Sequence, residues 1–101
     1  MYKIKQYTFN QLEELNKQLN TNAITIKPST SKNKKIDIFI NGIKTNSIGA
    51  NGMKDYPTYI EEKGLEYANI RRDLYYKRHA KEEDIIDNKI TNSFFAKWLL
   101  W

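Results

Sequence analysis

Residues 36–48 constrain the fold most, because they have the pattern of a β-hairpin. In the run IDIFI, the side chains of Ile36, Ile38 and Ile40 alternate with others and therefore share one face of a strand. Asn41-Gly42 follows at once, and this dipeptide between two hydrophobic runs favours a type I′ turn. The run IKTNSI then predicts the returning strand.

A third strand and a long helix complete the centre of the predicted fold. Residues 23–27 (AITIK) alternate in the same way, and Pro28 ends this strand or places it at a sheet edge. A three-stranded antiparallel sheet of this kind needs a helix on its apolar face. Residues 64–81 (GLEYANIRRDLYYKRHAK) are the longest segment with helical character. We therefore expect an α+β fold in which this long central helix packs on the sheet.

Two shorter helices are predicted before the long one. Residues 8–19 carry leucines at helical intervals, and Thr8 has the position of an N-cap. Asp55 has the same position before a second helix that begins near Pro57, a residue favoured in the first turn. Gly64 either ends or kinks this second helix.

The end of the chain is predicted to be an acidic connector followed by an aromatic helix. The connector is residues 82–90 (EEDIIDNKI), and the helix is residues 91–101, with Thr91 as its cap. Phe94, Trp98 and Trp101 lie on one side of this helix. Such a set of rings either closes the core or forms an interface with another protein.

Length and composition limit the class of protein. A chain of 101 residues suits one modest core, so residues 1–101 are expected to form a single domain. Because there is no cysteine and only one histidine, thiolate metal sites are excluded and neither a zinc site nor another cofactor is expected. No run approaches the roughly 20 apolar residues that span a bilayer. The start of the chain also lacks the apolar core of a signal peptide, which predicts an intracellular or virion setting without a membrane partner.

The net charge of +5 is unevenly distributed along the chain. The first fifty residues carry eight lysines and three acidic side chains, whereas the remaining residues carry nine of each sign. A polyanion such as nucleic acid is the natural partner of such a field, because bound counterions are released when the two associate. The abundance of Lys, Asn and Ile is equally typical of an AT-rich genome, so charge alone leaves both interpretations open.

The long helix carries the candidate nucleic-acid-binding side chains. Arg71 and Arg78 share a helix face, since seven residues are nearly two turns, and Arg72 and His79 share another. Guanidinium groups bind phosphates, and tyrosine rings stack on unpaired bases. The candidate residues, with two lysines of the basic loop before the hairpin, are Arg71, Arg72, Arg78, His79, Lys34, Lys35, Tyr75 and Tyr76.

Other roles are open for the same side chains. Arginine stems cover apolar surface while their charged ends stay in water. Arg72 can instead pair with Glu66, Glu83 or the carboxylate of Trp101. Because arginine and aromatic residues are also enriched in protein interfaces, the alternative function is assembly through protein contacts. Its candidate interface residues are Phe94, Trp98 and Trp101.

A nuclease is the third hypothesis, and the sequence does not favour it. It would rest on His79 with Asp55 or Asp84. Neither His79 with Asn88 nor the four carboxylates of the acidic connector have the ligand spacing or the strand context of a known site. Gly49-Ala-Asn-Gly52 lacks both the GxGxxG spacing and the Lys-Ser/Thr of phosphate-binding loops. We therefore expect a protein that is not an enzyme.

Three segments of the chain carry a resemblance to a known family: SIGANGMKDYPTYIEEKG, YANIRRDLYYKRHAK and SFFAKWLLW. They resemble a family of small proteins of large DNA viruses and some phages. The pattern is a Gly-Ala-x-Gly turn, an Asp-Tyr pair, an Arg/Tyr/Arg-His helix and an aromatic end with Leu-Trp. Here it falls on Gly49, Ala50, Gly52, Asp55, Tyr56, Arg71, Arg72, Tyr75, Arg78, His79, Trp98, Leu100 and Trp101.

The resemblance covers residues 36–101 and leaves residues 1–35, the first helix, first strand and basic loop, outside it. Met53 stands where an aromatic residue is expected, and the acidic connector lacks the Gly or Trp often found there. The resemblance implies a viral origin, no established catalysis, and a place in the virion, in the host cytoplasm or on viral DNA. It therefore favours DNA over RNA as the nucleic acid, and virion proteins or a second copy of the chain as protein partners.

Overall fold

A computed structural model describes residues 1–101 and confirms the α+β class. It has a three-stranded antiparallel sheet, a long helix and short helices near both ends. In chain order the elements are α1 (Gln6–Gln18), β1 (Ile24–Pro28), β2 (Lys34–Ile40), β3 (Ile43–Ala50), α2 (Tyr56–Lys63), α3 (Leu65–Arg78), β4 (Ile85–Ile86), β5 (Lys89–Ile90) and α4 (Asn92–Leu99). None of the helices combines the length and the apolar character needed to cross a membrane.

The hairpin forms as predicted. The strand order is β1-β2-β3, and Ile36 lies opposite Ile48 across the antiparallel pair β2–β3. Asn41 and Gly42 connect these strands with φ values of 52° and 79°, the left-handed conformations that a type I′ turn requires. The pairing shifts by one residue between Ile38 and Phe39, where the strand has an irregularity.

The helices that cover the apolar face of the sheet are α1 and α4, and not α3 as expected from the sequence. Leu15 of α1 and Phe95 and Leu99 of α4 are fully buried against the isoleucines of the sheet. In α3 only Ala68 is buried. The physical reason is that the inward side of α3 carries arginines and a histidine, which cannot enter an apolar core without partners.

The first helix begins earlier than predicted, and Thr8 does not cap it. The helix starts at Gln6 after Lys5, which makes no side-chain capping bond. Thr8 lies inside the first turn, where it is fully buried, and its hydroxyl donates to the Leu99 carbonyl oxygen at 2.8 Å. This bond ties α1 to the end of α4.

The other two predicted caps are confirmed. The Asp55 carboxylate accepts from the Thr58 amide at 3.0 Å, and the Thr91 hydroxyl accepts from the Phe94 amide at 3.2 Å. Gly64, with φ 88°, ends α2 and lets the chain turn into α3, so that the two helices form a packed helical hairpin.

Two features were not predicted from the sequence. The acidic connector contains a small hairpin, β4–β5, whose turn residues Asp87 and Asn88 have positive φ. On the second face of the sheet, Asp37 is buried and accepts hydrogen bonds from Ser29 and Ser47 at 2.6 and 2.7 Å. Burial by itself raises the pKa of Asp37, but these bonds and Lys44 outweigh it and lower the pKa to about 2.

Candidate nucleic-acid interface

The α2–α3 hairpin, the end of β3 and the C-terminal part of α4 enclose a cleft of about 280 Å³. Five basic side chains and one acidic side chain line it, together with three aromatic ones. Lys35 and Asp55 pair with each other. We call the other seven residues the cationic cleft: Lys54, Arg71, Arg78, His79, Tyr59, Tyr75 and Trp101. The combination offers positive charge beside flat apolar surface, which is the composition of sites for phosphates that carry bases.

Two arginines face the cleft, and the third does not. The Arg71 guanidinium lies 5.4 Å from the centre of the Tyr59 ring, and Arg78 is exposed at the end of α3. Arg72, one residue further on and therefore rotated by about 100°, lies over the Tyr56 ring at 4.2 Å and donates to Asn69. It does not pair with Glu66, Glu83 or the chain terminus.

None of the three guanidinium groups has a carboxylate within 4.0 Å, since every ion pair of the chain is made by lysines or His79. The Nε atom of Arg71 is buried and has no hydrogen-bond partner at all. An unpaired guanidinium next to a cavity is costly for the fold, because its hydrogen-bonding groups are partly removed from water. An anion in the cleft would accept hydrogen bonds from the guanidinium nitrogens of Arg71 and Arg78 that solvent still reaches.

The aromatic side of the cleft is a stack of rings. The Tyr75 ring is parallel to the Trp101 ring with centroids 4.4 Å apart, and the His79 ring lies 4.2 Å from Tyr75. Burial raises the pKa of Tyr75 to about 12, so its hydroxyl stays protonated at neutral pH. The Tyr59 ring also lines the cleft, with its centroid 6.2 Å from that of Trp101.

His79 is held by the acidic connector. Its Nδ1 lies 2.6 Å from Glu82, whose carboxylate also accepts from the Ser93 hydroxyl. The hydrogen bonds from Ser93 and His79 hold the pKa of Glu82 below its usual range. Because His79 is engaged by Glu82 and the two arginines have no carboxylate partner, Arg71 and Arg78 are the stronger anion ligands of the cleft.

The two predicted lysines have different positions. Lys35 is buried, and its ammonium pairs with Asp55 at 2.9 Å and donates to the Met53 carbonyl oxygen, so it is not a surface phosphate ligand. Lys34 is half-buried and lines a neighbouring groove with Glu82 and Glu83. Tyr76, which is 41% exposed, points away from Arg71 on α3 and lies outside the cleft.

The three predicted interface residues pack within the chain. Phe94, Trp98 and Trp101 lie partly buried against the core. The backbone carbonyl oxygens of Trp98 and Trp101 accept from Gln11 and Tyr7 of α1. The aromatic end of the chain therefore closes the core, and the ring of Trp101 forms a wall of the cleft.

Two cleft residues were missed in the sequence, Lys54 and Tyr59. Both come from the start of the α2 region, and nothing local separates them from ordinary surface residues. The Asp55 cap and Gly64 do predict two consecutive helices, but not which faces of these helices meet.

The nuclease hypothesis needs a free Asp55 carboxylate or a metal site. The Asp55 carboxylate accepts hydrogen bonds from Lys35, Tyr2 and the Thr58 amide. No group of three or more His, Asp or Glu side chains is placed to hold a metal ion.

No family model, no curated protein and no solved structure matches this chain. The viral resemblance stays a prediction.

Proposed function

We propose that this chain is a small basic protein that associates with nucleic acid without sequence specificity, through the cationic cleft. The observation that carries the proposal is that Arg71 and Arg78 line one cleft, beside aromatic rings, with no carboxylate within 4.0 Å of either. The other three basic side chains that line the cleft already have carboxylate partners, Lys35 with Asp55, Lys54 with Glu62 and His79 with Glu82.

The mechanism follows from the chemistry of these groups. A guanidinium group donates two parallel hydrogen bonds to a phosphate, and Arg71 and Arg78 are spaced by two helix turns on one face. Phosphate contacts position the chain but read no sequence. The rings of Tyr59 and Trp101 offer stacking surface to an unpaired base, which every base can use. The lysines of the first fifty residues add long-range attraction for a polyanion.

The experiment compares two arginines of the same helix. Binding to fluorescent single- and double-stranded DNA is measured at low ionic strength for the native chain, Arg78→Ala and Arg72→Ala. Both variants lose one positive charge, but only Arg78 lines the cleft. Loss of a charge-assisted bond should weaken binding by about tenfold in Arg78→Ala. Equal affinities of the two variants would contradict the proposal, and a matched RNA tests the preference for DNA that the resemblance implies.

The alternative function, assembly through protein contacts, is favoured by a different observation. Phe94, Trp98 and Trp101 are used within the fold, but Tyr67, Ile70 and Leu74 on α3 are 41%, 59% and 47% exposed. Exposed apolar side chains in a row are typical of protein interfaces. A chain that stays monomeric at high concentration and does not bind purified virion proteins would argue against this function. Viral origin and a place in the virion or host cytoplasm belong to both proposals.

A further inference from the structure

The outward face of α3 has an apolar stripe that is largely exposed to solvent. Ile70 and Leu74 are one helix turn apart, and Tyr67 lies beside them. All three are more than two-fifths exposed. The Tyr67 ring contacts the Tyr59 ring of α2 at a centroid distance of 5.7 Å, whereas Ile70 and Leu74 do not pack against the core. An amphipathic helix normally turns its apolar stripe inward, so this stripe requires an explanation other than packing of the monomer.

Two charged residues of opposite sign flank the stripe, Glu66 six residues before its centre and Lys77 five residues after it. Glu66 and Lys77 are eleven residues, about three turns, apart and therefore lie on the same flank of α3. Both are exposed, and neither takes part in an ion pair within the chain. The acidic residue precedes Ile70 by one turn, and the basic residue follows Leu74 by one turn.

We infer that a second copy of this chain docks antiparallel on this face of α3. If two helices cross midway between Ile70 and Leu74, Ile70 of each copy meets Leu74 of the other. The same twofold arrangement brings Glu66 of each copy within one residue of Lys77 of the other. Apolar contact at the centre and two opposite-charge pairs at the ends then form together. In a parallel arrangement Glu66 would face Glu66 and Lys77 would face Lys77.

The length of α3 limits the area that the dimer can bury, and therefore its affinity. The 14 residues of α3 extend over about 21 Å. A single helix face of this length lies at the low end of protein interfaces, so the dimer is weak and forms at high protein concentration. Arg71 and Arg78 border the stripe, since each follows one of its residues by four positions. The inference does not depend on nucleic-acid binding, because Tyr67, Ile70 and Leu74 do not line the cleft itself.

The test is the mass of the full chain in solution, measured by sedimentation equilibrium from about 10 µM to 1 mM. The native chain should show a monomer–dimer equilibrium, and Leu74→Ser should weaken it at least about tenfold. Circular dichroism checks that each variant keeps its fold.

Exchanging the charges of Glu66 and Lys77 tests whether the two helices are antiparallel. Lys77→Glu places like charges at both ends of the antiparallel pair and should weaken the dimer, as should Glu66→Lys. The double variant E66K/K77E restores opposite charges at the native net charge and should restore the native dissociation constant. A native monomer at 1 mM overturns the inference, and so does a dimer that is insensitive to Leu74→Ser or is not restored in the double variant. DNA binding of Leu74→Ser should equal that of the native chain, so the two proposals can fail separately.

Discussion

The ion pair between Lys35 and Asp55 should be the most sensitive electrostatic contact of the fold. The two residues are 5% and 1% exposed, and their charged atoms are 2.9 Å apart. Asp55 also accepts from the Tyr2 hydroxyl at 2.7 Å and caps α2. The substitution Asp55→Asn keeps the shape of the side chain and its ability to cap, because asparagine is as good an N-cap as aspartate. It removes the charge, and it replaces the oxygen that accepts from Tyr2 and Lys35 with an amide NH2 group.

The expected cost is about 3–5 kcal/mol, because the Lys35 ammonium remains buried without its carboxylate. This is a large part of the 5–15 kcal/mol that is typical of a domain's stability. For a chain of 101 residues it corresponds to a fall in Tm of roughly 12–40 °C, at about 4–8 °C for each kcal/mol. Urea unfolding followed by circular dichroism measures the free energy, and a thermal scan measures Tm.

The chain contains a matched control. Glu62 pairs with Lys54 on the surface, where both side chains are more than two-fifths exposed, so Glu62→Gln should leave Tm nearly unchanged. In the double variant Lys35→Met/Asp55→Asn no charge is left buried, and most of the lost stability should return. The reasoning is refuted if Asp55→Asn is no more harmful than Glu62→Gln, or if the double variant is less stable than Asp55→Asn alone.

Three further predictions concern the fold. The pKa of Asp37 is lowered to about 2, and the pKa of Asp55 is lowered too. The two carboxylates therefore stabilise the fold fully above the unfolded pKa near 3.9, and this stabilisation is lost as the pH falls towards 2. Unfolding midpoints between pH 7 and pH 2 measure this loss, and a constant midpoint contradicts it. In urea unfolding, Gly49→Ala should lower the free energy of unfolding by roughly 1–3 kcal/mol more than Gly42→Ala does. Both glycines have positive φ, but a Cβ at Gly49 would lie 2.9 Å from Leu100 whereas a Cβ at Gly42 has no atom within 4 Å. Phe95→Ala, at a fully buried position, should cost about 3–5 kcal/mol by the same assay, and a cost below about 1 kcal/mol would show that the core is assigned wrongly.

The parts of the fold that depend on neighbouring residues were predictable from the sequence. The Asn41-Gly42 turn, the Asp55 and Thr91 caps and the break at Gly64 each follow from the local chemistry of one or two residues. Periodicity also identified the helices, but it gives only the side of a helix that is apolar. It does not give the element that covers this side.

This limit of sequence periodicity explains the main differences between the predicted fold and the structure. The long helix α3 was expected against the sheet, but α1 and α4 cover the sheet with larger apolar faces that carry no arginine, and Tyr67, Ile70 and Leu74 of α3 face outward. Lys35 follows a basic loop and was predicted to be on the surface, whereas a carboxylate twenty residues away holds it inside. In the candidate site, the shared face of Arg71 and Arg78 was predictable, and the contribution of Lys54 and Tyr59 was not, since it depends on how two helices pack.

The most direct test of nucleic-acid association through the cationic cleft is the salt dependence of DNA binding. The logarithm of the association constant for double-stranded DNA is measured against the logarithm of salt concentration for the native chain, Arg71→Ala/Arg78→Ala and Arg72→Ala. If both cleft arginines contact phosphates, the double variant should bind more weakly and its slope should be smaller in magnitude by about 1.8. Arg72→Ala should keep the native slope. A double variant with the native affinity and slope would contradict the proposed function.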